Sequence, residues 1–156
     1  MEIDPQVKQA LLNIDFIKRY EALSKEYDLE RLGDKTRLKY LDGELVMDMI
    51  SEAGYIPGFD PKEKFFKFYE KIEDYRFGLH IVLYNGTVEL IWAVKDKEKS
   101  IAGMPWGIYS RLMIDPDYRI KMPNFSDYDE LEDILKTAFT IYEDFKQVFL
   151  EIAEQK

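Results

Sequence analysis

The sequence predicts an α+β fold: an antiparallel sheet of three or more strands, centred on a hairpin at residues 77–94 and packed against N-terminal helices and a long C-terminal helix. Three observations support this. The runs FGLHIVLY and TVELIWAV flank Asn85-Gly86, an apolar repeat begins at Leu131, and Asp4-Pro5 is typical of a helix start. With 156 residues, the chain has the usual size of one domain, so we expect a single α+β domain over residues 1–156.

The hairpin prediction includes a register. Asn-Gly tolerates the positive φ angles of a two-residue turn, and such a turn fixes which residues face each other. One face is then wholly apolar and the other mixed. The apolar pairs are Leu83/Val88, Ile81/Leu90, Leu79/Trp92 and Phe77/Val94; the mixed pairs are Tyr84/Thr87, Val82/Glu89, His80/Ile91 and Gly78/Ala93. Because an isolated hairpin is marginally stable in water, we expect a third strand.

The C-terminal segment has the pattern of one long helix. Ser126 can cap it, with Asp129 as a weaker partner in a capping box. Apolar residues then recur with spacing 4-3-4-3-4-3, which predicts a helix of about 27 residues, roughly 40 Å long. They are Leu131, Leu135, Ala138, Tyr142, Phe145, Phe149 and Ile152. This seam fits either the sheet and N-terminal helix or a homodimer through the C-terminal helix.

The remaining segments carry weaker patterns. From Asp4-Pro5 one helix is expected to about residue 27, and the 35–54 segment contains either a helix at 44–53 or a hairpin turn at Asp42-Gly43, with spacing that favours the helix. A loop at 55–61 precedes a helix expected at 61–74 from the spacing of Phe65, Phe68 and Ile72. We expect a strand near 107–113 and a loop at 115–123 with a short edge strand around 118–121.

Composition excludes several classes of function. The net charge of −9, from 31 acids and 22 bases, disfavours direct binding to nucleic acid or to an anionic membrane. With one histidine and no cysteine, the sequence indicates no metal site, and it has no phosphate-binding glycine loop, so no cofactor and no catalytic residue are assigned. The acidic N-terminus and the absence of an 18-residue apolar run predict a cytoplasmic protein without a membrane span.

Two groups of residues are candidates for contact with a protein partner. The first is the acidic start of the C-terminal helix: Asp127, Asp129, Glu130, Glu132 and Asp133. These acids are either a solvated helix end, favoured by the helix dipole, or an interface for a basic partner. The second group is Trp106 and Tyr109, beside a proline and a glycine, which either form a binding hot spot or close one end of the core.

From the Asn-Gly hairpin through IAGMPWGIYSRLMI to PNFSDYDELEDIL, the chain resembles the small acidic immunity proteins of bacterial polymorphic toxin systems. The resemblance implies a protein that neutralises one cognate toxin by occlusion and needs no catalytic residues. Together with the cytoplasmic location and the acidity described above, it leads us to expect a non-enzymatic cytoplasmic protein whose partner is a basic toxin domain. Two alternatives stay open. One is a homo-oligomeric interaction or scaffolding subunit, and the other is an unrecognised enzyme with its site around His80.

Overall fold

In the computed structural model, residues 2–33 and 36–155 are described. Their elements, in chain order, are α1 (Pro5–Asn13), α2 (Phe16–Glu26), a short 3-10 helix (Leu29–Leu32), α3 (Gly43–Glu52), β1 (Gly58–Asp60), β2 (Phe65–Ile72), β3 (Tyr75–Tyr84), β4 (Thr87–Asp96), β5 (Lys99–Ala102), α4 (Trp106–Met113) and α5 (Tyr128–Glu154). The α+β prediction is confirmed: one five-stranded antiparallel sheet, in the order β1-β2-β3-β4-β5, is combined with N-terminal helices and a long C-terminal helix.

The central hairpin has the predicted register. Each of the four apolar pairs and each of the four mixed pairs expected between β3 and β4 is present. Asn85 and Gly86 form the turn with φ angles of 54° and 79°, the left-handed conformations that a two-residue hairpin turn requires. The pairing extends two pairs further, to Arg76 opposite Lys95 and to Tyr75 opposite Asp96.

The apolar face of the sheet lies against α5. Phe145 packs on Trp92 with ring centroids 4.5 Å apart, and Phe149 meets Phe77 at 5.4 Å. Helix α1 packs along α5 in the same layer. The apolar seam of α5 is therefore buried within the chain, which is one of the two alternatives expected for it. On the other face of the sheet most side chains of β2, β3 and β4 are half-buried, whereas Lys71 and Tyr84 are exposed.

The single N-terminal helix expected to residue 27 is in fact two helices. Asp15 has φ 58°, a left-handed conformation that an α-helix cannot continue through, so α1 ends before it and α2 begins after it. The change of direction brings Phe16 into the core, where its ring meets Trp106 edge-on at 5.1 Å. The interruption therefore lets both helices bury an apolar face.

The expected helix at 61–74 is wrong, because residues 65–72 form β2. The spacing of Phe65, Phe68 and Ile72 fits a helix, but the side chains from Phe65 to Phe68 alternate between half-buried and buried, as in a strand. Pairing with β3 along its length decides between the two. The loop expected at 55–61 also contains the short strand β1.

The expected strand at 107–113 is also wrong, because these residues belong to α4. The additional strand of this region is β5, which lies earlier, and residues 118–121 have no regular secondary structure. The Trp92 amide donates to the Met104 carbonyl, and Pro105 then precedes the first turn of α4. Trp106 and Tyr109, three residues apart, then share the buried face of this helix.

Between residues 36 and 54 the helix alternative is confirmed as α3, and the Asp42-Gly43 hairpin is wrong. Asp42 instead caps α3, its side chain accepting a hydrogen bond from the Glu44 amide at 3.0 Å. Lys35, the first residue of the segment considered, lies outside the described residues, as does the neighbouring Asp34.

Candidate functional site

The acidic start of α5 is organised first as a helix cap. The Asp127 side chain accepts a hydrogen bond from the Glu130 amide at 2.8 Å, and Glu130 Oε1 accepts one from the Ser126 amide at 2.7 Å. Arg31 Nη2 lies 2.8 Å from the same oxygen. Partial burial opposes ionisation of Glu130, but the hydrogen bonds from Ser126 and the pairing with Arg31 lower its pKa overall. The N-cap is therefore Asp127 rather than Ser126, and the acid that reaches back from the first turn is Glu130 rather than Asp129.

The five predicted acids thus have different environments. Asp127 and Glu130 stabilise the helix end, and Glu132 forms an ion pair with Lys136 at 3.0 Å. Asp129 and Asp133 are exposed and form no hydrogen bond or ion pair within the described part of the chain. These two acids are available for contact with another molecule without loss of an internal interaction.

The acids of α5 lie beside a second acidic helix, which the sequence analysis did not include. Two adjoining cavities of about 250 and 230 Å³ lie between α3 and the first half of α5, and they share Met49, Glu52 and Glu132. We call this the α3–α5 groove. Its acids are Asp48 and Glu52 from α3 and Asp129 and Glu132 from α5; its other lining residues are Leu45, Met49, Ala53, Tyr128, Leu135, Lys136 and Phe139.

The groove combines apolar and negative surface. Leu45 is 42% exposed there, which is high for a leucine beside other apolar side chains. Lys136 is the cation that lines the groove, and Glu132 first, then Asp133 and Glu52, raise its pKa. The spacing of Asp48 and Glu52 on α3 is the signal from which the second wall of the groove could have been recognised.

Trp106 and Tyr109 do not form a surface, and their assignment as contact residues is corrected. They are 0% and 1% exposed. Trp106 stacks on Trp92 with ring centroids 4.9 Å apart. It therefore closes one end of the core, which is the alternative to a binding hot spot given above. Burial also raises the pKa of the Tyr109 hydroxyl.

The seam of α5 leaves no apolar stripe for a second copy of the chain. From Leu131 to Phe149 its residues are at most 1% exposed, and they contact the sheet and α1. A homodimer through that face would require the core to open.

His80 lies on the face of the sheet opposite α5 and is half-buried. Its Nε2 is 2.6 Å from the Tyr69 hydroxyl, and its ring stacks on Phe65 at 4.2 Å. Burial, followed by the charges of Lys67 and Arg76, lowers its pKa. No carboxylate hydrogen-bonds the ring in the described structure, so no acid orients His80 as a general base.

Comparisons of the chain with protein-family models, with curated proteins and with solved structures find no match. Among the described residues there is no cluster of three His, Cys, Asp or Glu side chains arranged to hold a metal ion. The helices of the described ranges include none with the length and hydropathy needed to span a membrane. The main candidate site of the described structure is the α3–α5 groove.

Proposed function

We propose that this protein is a non-enzymatic binding protein that neutralises a toxin by occlusion, and that the α3–α5 groove is the centre of its contact with a basic face of the toxin. The observation that carries the proposal is the acid-rimmed groove itself, in which the exposed Leu45 shares one lining with Asp48 of α3 and Asp129 of α5.

Such a groove offers a partner two different contributions. Apolar side chains from the partner would bury Leu45 and Met49, which supplies affinity through the hydrophobic effect. Basic side chains would meet the acidic rim, which raises the association rate and disfavours acidic competitors. Since stable interfaces bury roughly 1,200–2,000 Å² in total, the partner must also cover the helix surfaces around the groove.

The overall charge of the protein also favours a basic partner. A net charge of −9 attracts a basic partner over about 10 Å at 0.1 M salt. Binding through the groove should therefore weaken as salt is added, chiefly through a slower association rate.

The first experiment is affinity capture with matched variants. The variant Asp48→Lys/Asp129→Lys reverses the charge on the two walls of the groove. The variant Glu151→Lys/Glu154→Lys makes the same change of charge at the far end of α5, roughly 33–37 Å from Asp129 along the helix. We expect the first variant to lose the partner at low salt and the second to retain it. Glu130 is left unchanged, because its substitution would weaken the helix cap.

The second experiment tests neutralisation. The captured partner is expressed in cells alone, with the wild-type protein, and with the groove variant. Arrest of growth that only the wild-type protein relieves supports the proposal. A partner that both charge variants bind equally would exclude the groove, and a partner that does not impair growth would exclude toxin neutralisation.

A further inference from the structure

Arg76 lies on the sheet face opposite α5, and one of its donors has no partner within residues 2–33 and 36–155. Its Cζ is 4.2 Å from the centroid of the Tyr69 ring, which holds the guanidinium in one orientation. Its Nε is buried and has no hydrogen-bond acceptor among the described residues. Buried N–H groups are nearly always paired, so the unpaired Nε distinguishes the guanidinium of Arg76 from those of Arg19 and Arg31, which form ion pairs.

Three cations stand side by side across the sheet at this point. Lys71 of β2 is directly opposite Arg76 of β3, which is directly opposite Lys95 of β4. Like charges in facing positions on neighbouring strands are destabilising. A chain with 31 acids could place a carboxylate between them, as it does beside Arg19, Arg31 and other cations.

No such carboxylate is bound here. Arg76, Lys71, Lys95 and Lys97 form no ion pair and no side-chain hydrogen bond within the described residues. The four line an open cavity of about 360 Å³, whose other lining residues are Asp74, Tyr75 and Glu98. Even with both acids ionised, the lining carries a net charge of +2, from four cations and two carboxylates.

A smaller cavity adjoins this one. It has a volume of about 120 Å³, shares Arg76 and Lys95 with the first, and is lined by His80 and by the apolar side chains of Ile91 and Ala93 among others. Arg76 and His80 are connected through Tyr69, whose ring lies beneath the guanidinium and whose hydroxyl contacts Nε2 of His80. An anion bound at Arg76 therefore changes the electrostatic potential at His80.

We propose that this sheet face holds a binding site for a phosphate-bearing ligand, with Arg76 as the bidentate donor to the phosphoryl group and Lys71 and Lys95 as flanking charges. The planar guanidinium matches two oxygens of a phosphate, and the lysines add point charges on either side. Three aligned positive charges are more than one carboxylate would neutralise, and they suit a ligand with two negative charges. This site is on the opposite side of the sheet from α5 and is independent of the proposed toxin binding.

His80 provides an internal reporter, since it is the one histidine of the chain. The charged and titratable groups that act on its ring are Tyr69 and Lys67 of β2, Arg76 of β3 and Asp60 of β1. A bound anion favours the imidazolium, so it should raise the pKa of His80, which burial and the neighbouring cations lower in the free protein. The ring Cε1–H resonance, followed by NMR at constant low ionic strength, measures this directly.

The titrants are inorganic phosphate, pyrophosphate, a 5′-mononucleotide and succinate. We expect saturable shifts, with pyrophosphate binding more tightly than phosphate and phosphate more tightly than succinate. A mononucleotide that binds more tightly than pyrophosphate would assign the ligand to nucleotides, and equal affinity would assign it to the phosphate groups alone. An equal response to succinate and phosphate would overturn the assignment to phosphate.

Matched variants separate a site from general electrostatics. Arg76→Gln should weaken pyrophosphate binding about tenfold or more, because it removes a charge-assisted bidentate contact. Arg19→Gln, which removes the same charge from an arginine paired with Asp144, should leave it unchanged. Lys95→Gln provides a second variant if Arg76→Gln disturbs the fold, and should weaken binding several-fold. A non-saturable shift, or equal effects of the Arg76 and Arg19 variants, would refute the site.

Discussion

Gly78 is the position at which the sheet leaves the least room for a side chain. It lies in β3, directly opposite Tyr69 of β2 and Ala93 of β4. A Cβ atom added there would overlap the carbonyl oxygen of Phe68 and would lie 2.6 Å from Cδ1 of Tyr69. The Tyr69 ring therefore lies across the space that a side chain at this position would need, and Gly78→Ala must push β2 and β3 apart.

The cost of Gly78→Ala follows from two opposing effects. Overpacking at a site that cannot relax costs about 1–3 kcal/mol. Alanine itself gains about 0.5–1 kcal/mol over glycine in a strand, because the unfolded chain loses freedom. Since the first contact is with a rigid backbone atom, we expect a net loss near 2 kcal/mol. For a chain of this length that corresponds to a fall in Tm of about 4–8 °C.

Urea denaturation followed by circular dichroism measures this loss, with two controls. Gly107 lies in α4 with nothing within 4 Å of an added Cβ, so Gly107→Ala should stabilise the protein by about 0.5–1 kcal/mol. In a Tyr69→Ala background most of the cost of Gly78→Ala should persist, because the Phe68 carbonyl remains. If Gly78→Ala is as harmless as Gly107→Ala, or if Tyr69→Ala abolishes its cost, then the backbone contact is not what requires glycine.

Three further predictions concern hydrogen bonds, charge and turn geometry. Glu130→Gln should lower the free energy of unfolding by about 1 kcal/mol at pH 7, as measured by urea titration. Folding lowers the pKa of Glu130 from its ordinary 4.5. The difference in unfolding free energy between variant and wild type should therefore be constant above pH 4.5 and disappear as the pH falls through the folded-state pKa. Tyr142→Phe removes a 2.7 Å hydrogen bond to Glu70 and should cost about 1–2 kcal/mol by chemical denaturation, whereas Tyr40→Phe, at a residue 91% exposed, should cost nothing. Because Asn85 has φ 54°, Asn85→Ala should lower the free energy of unfolding by about 1–2 kcal/mol, whereas Asn85→Gly should not lower it; chemical denaturation measures both.

Each of these predictions has a contrary outcome. A cost at Glu130 that does not change with pH would show that the carboxylate charge is unimportant to the cap. Equal costs for the two tyrosine variants would mean that the buried hydroxyl contributes nothing. If Asn85→Gly is as unstable as Asn85→Ala, then the asparagine side chain, and not the backbone conformation, stabilises the turn.

The elements that the sequence predicted correctly are those whose information is local. A two-residue turn sets the hairpin register without reference to the rest of the chain, so Leu79 opposite Trp92 followed from Asn85-Gly86 alone. The long helix followed from a repeat that continues over many turns, and its 27 residues match the expected length. Half of the candidate site, the acids at the start of α5, was visible for the same reason.

The errors at residues 61–74 and 107–113 occurred where a short segment fits more than one periodicity, whereas the error in the N-terminal helix came from the left-handed conformation of Asp15. Residues 65–72 fit both a helix and a strand, and only the free edge of β3, which needs a partner, selected the strand. The α4 segment, where a strand was expected, is helical because Trp106 must reach Trp92 and Phe16 in the core. Such choices depend on residues far apart in the chain, which a local pattern does not contain.

The sequence by itself therefore determined the fold class, the hairpin register, the long helix and the acidity of its first turns. Tertiary structure alone decided what these acids do: Glu130 and Asp127 cap the helix, and α3 supplies the other wall of the groove. It also decided that Lys71 stands beside Arg76, since that requires β2 to be a strand. The physical reason is the same in both cases, because a binding site is made by side chains from different elements, and only packing brings those elements together.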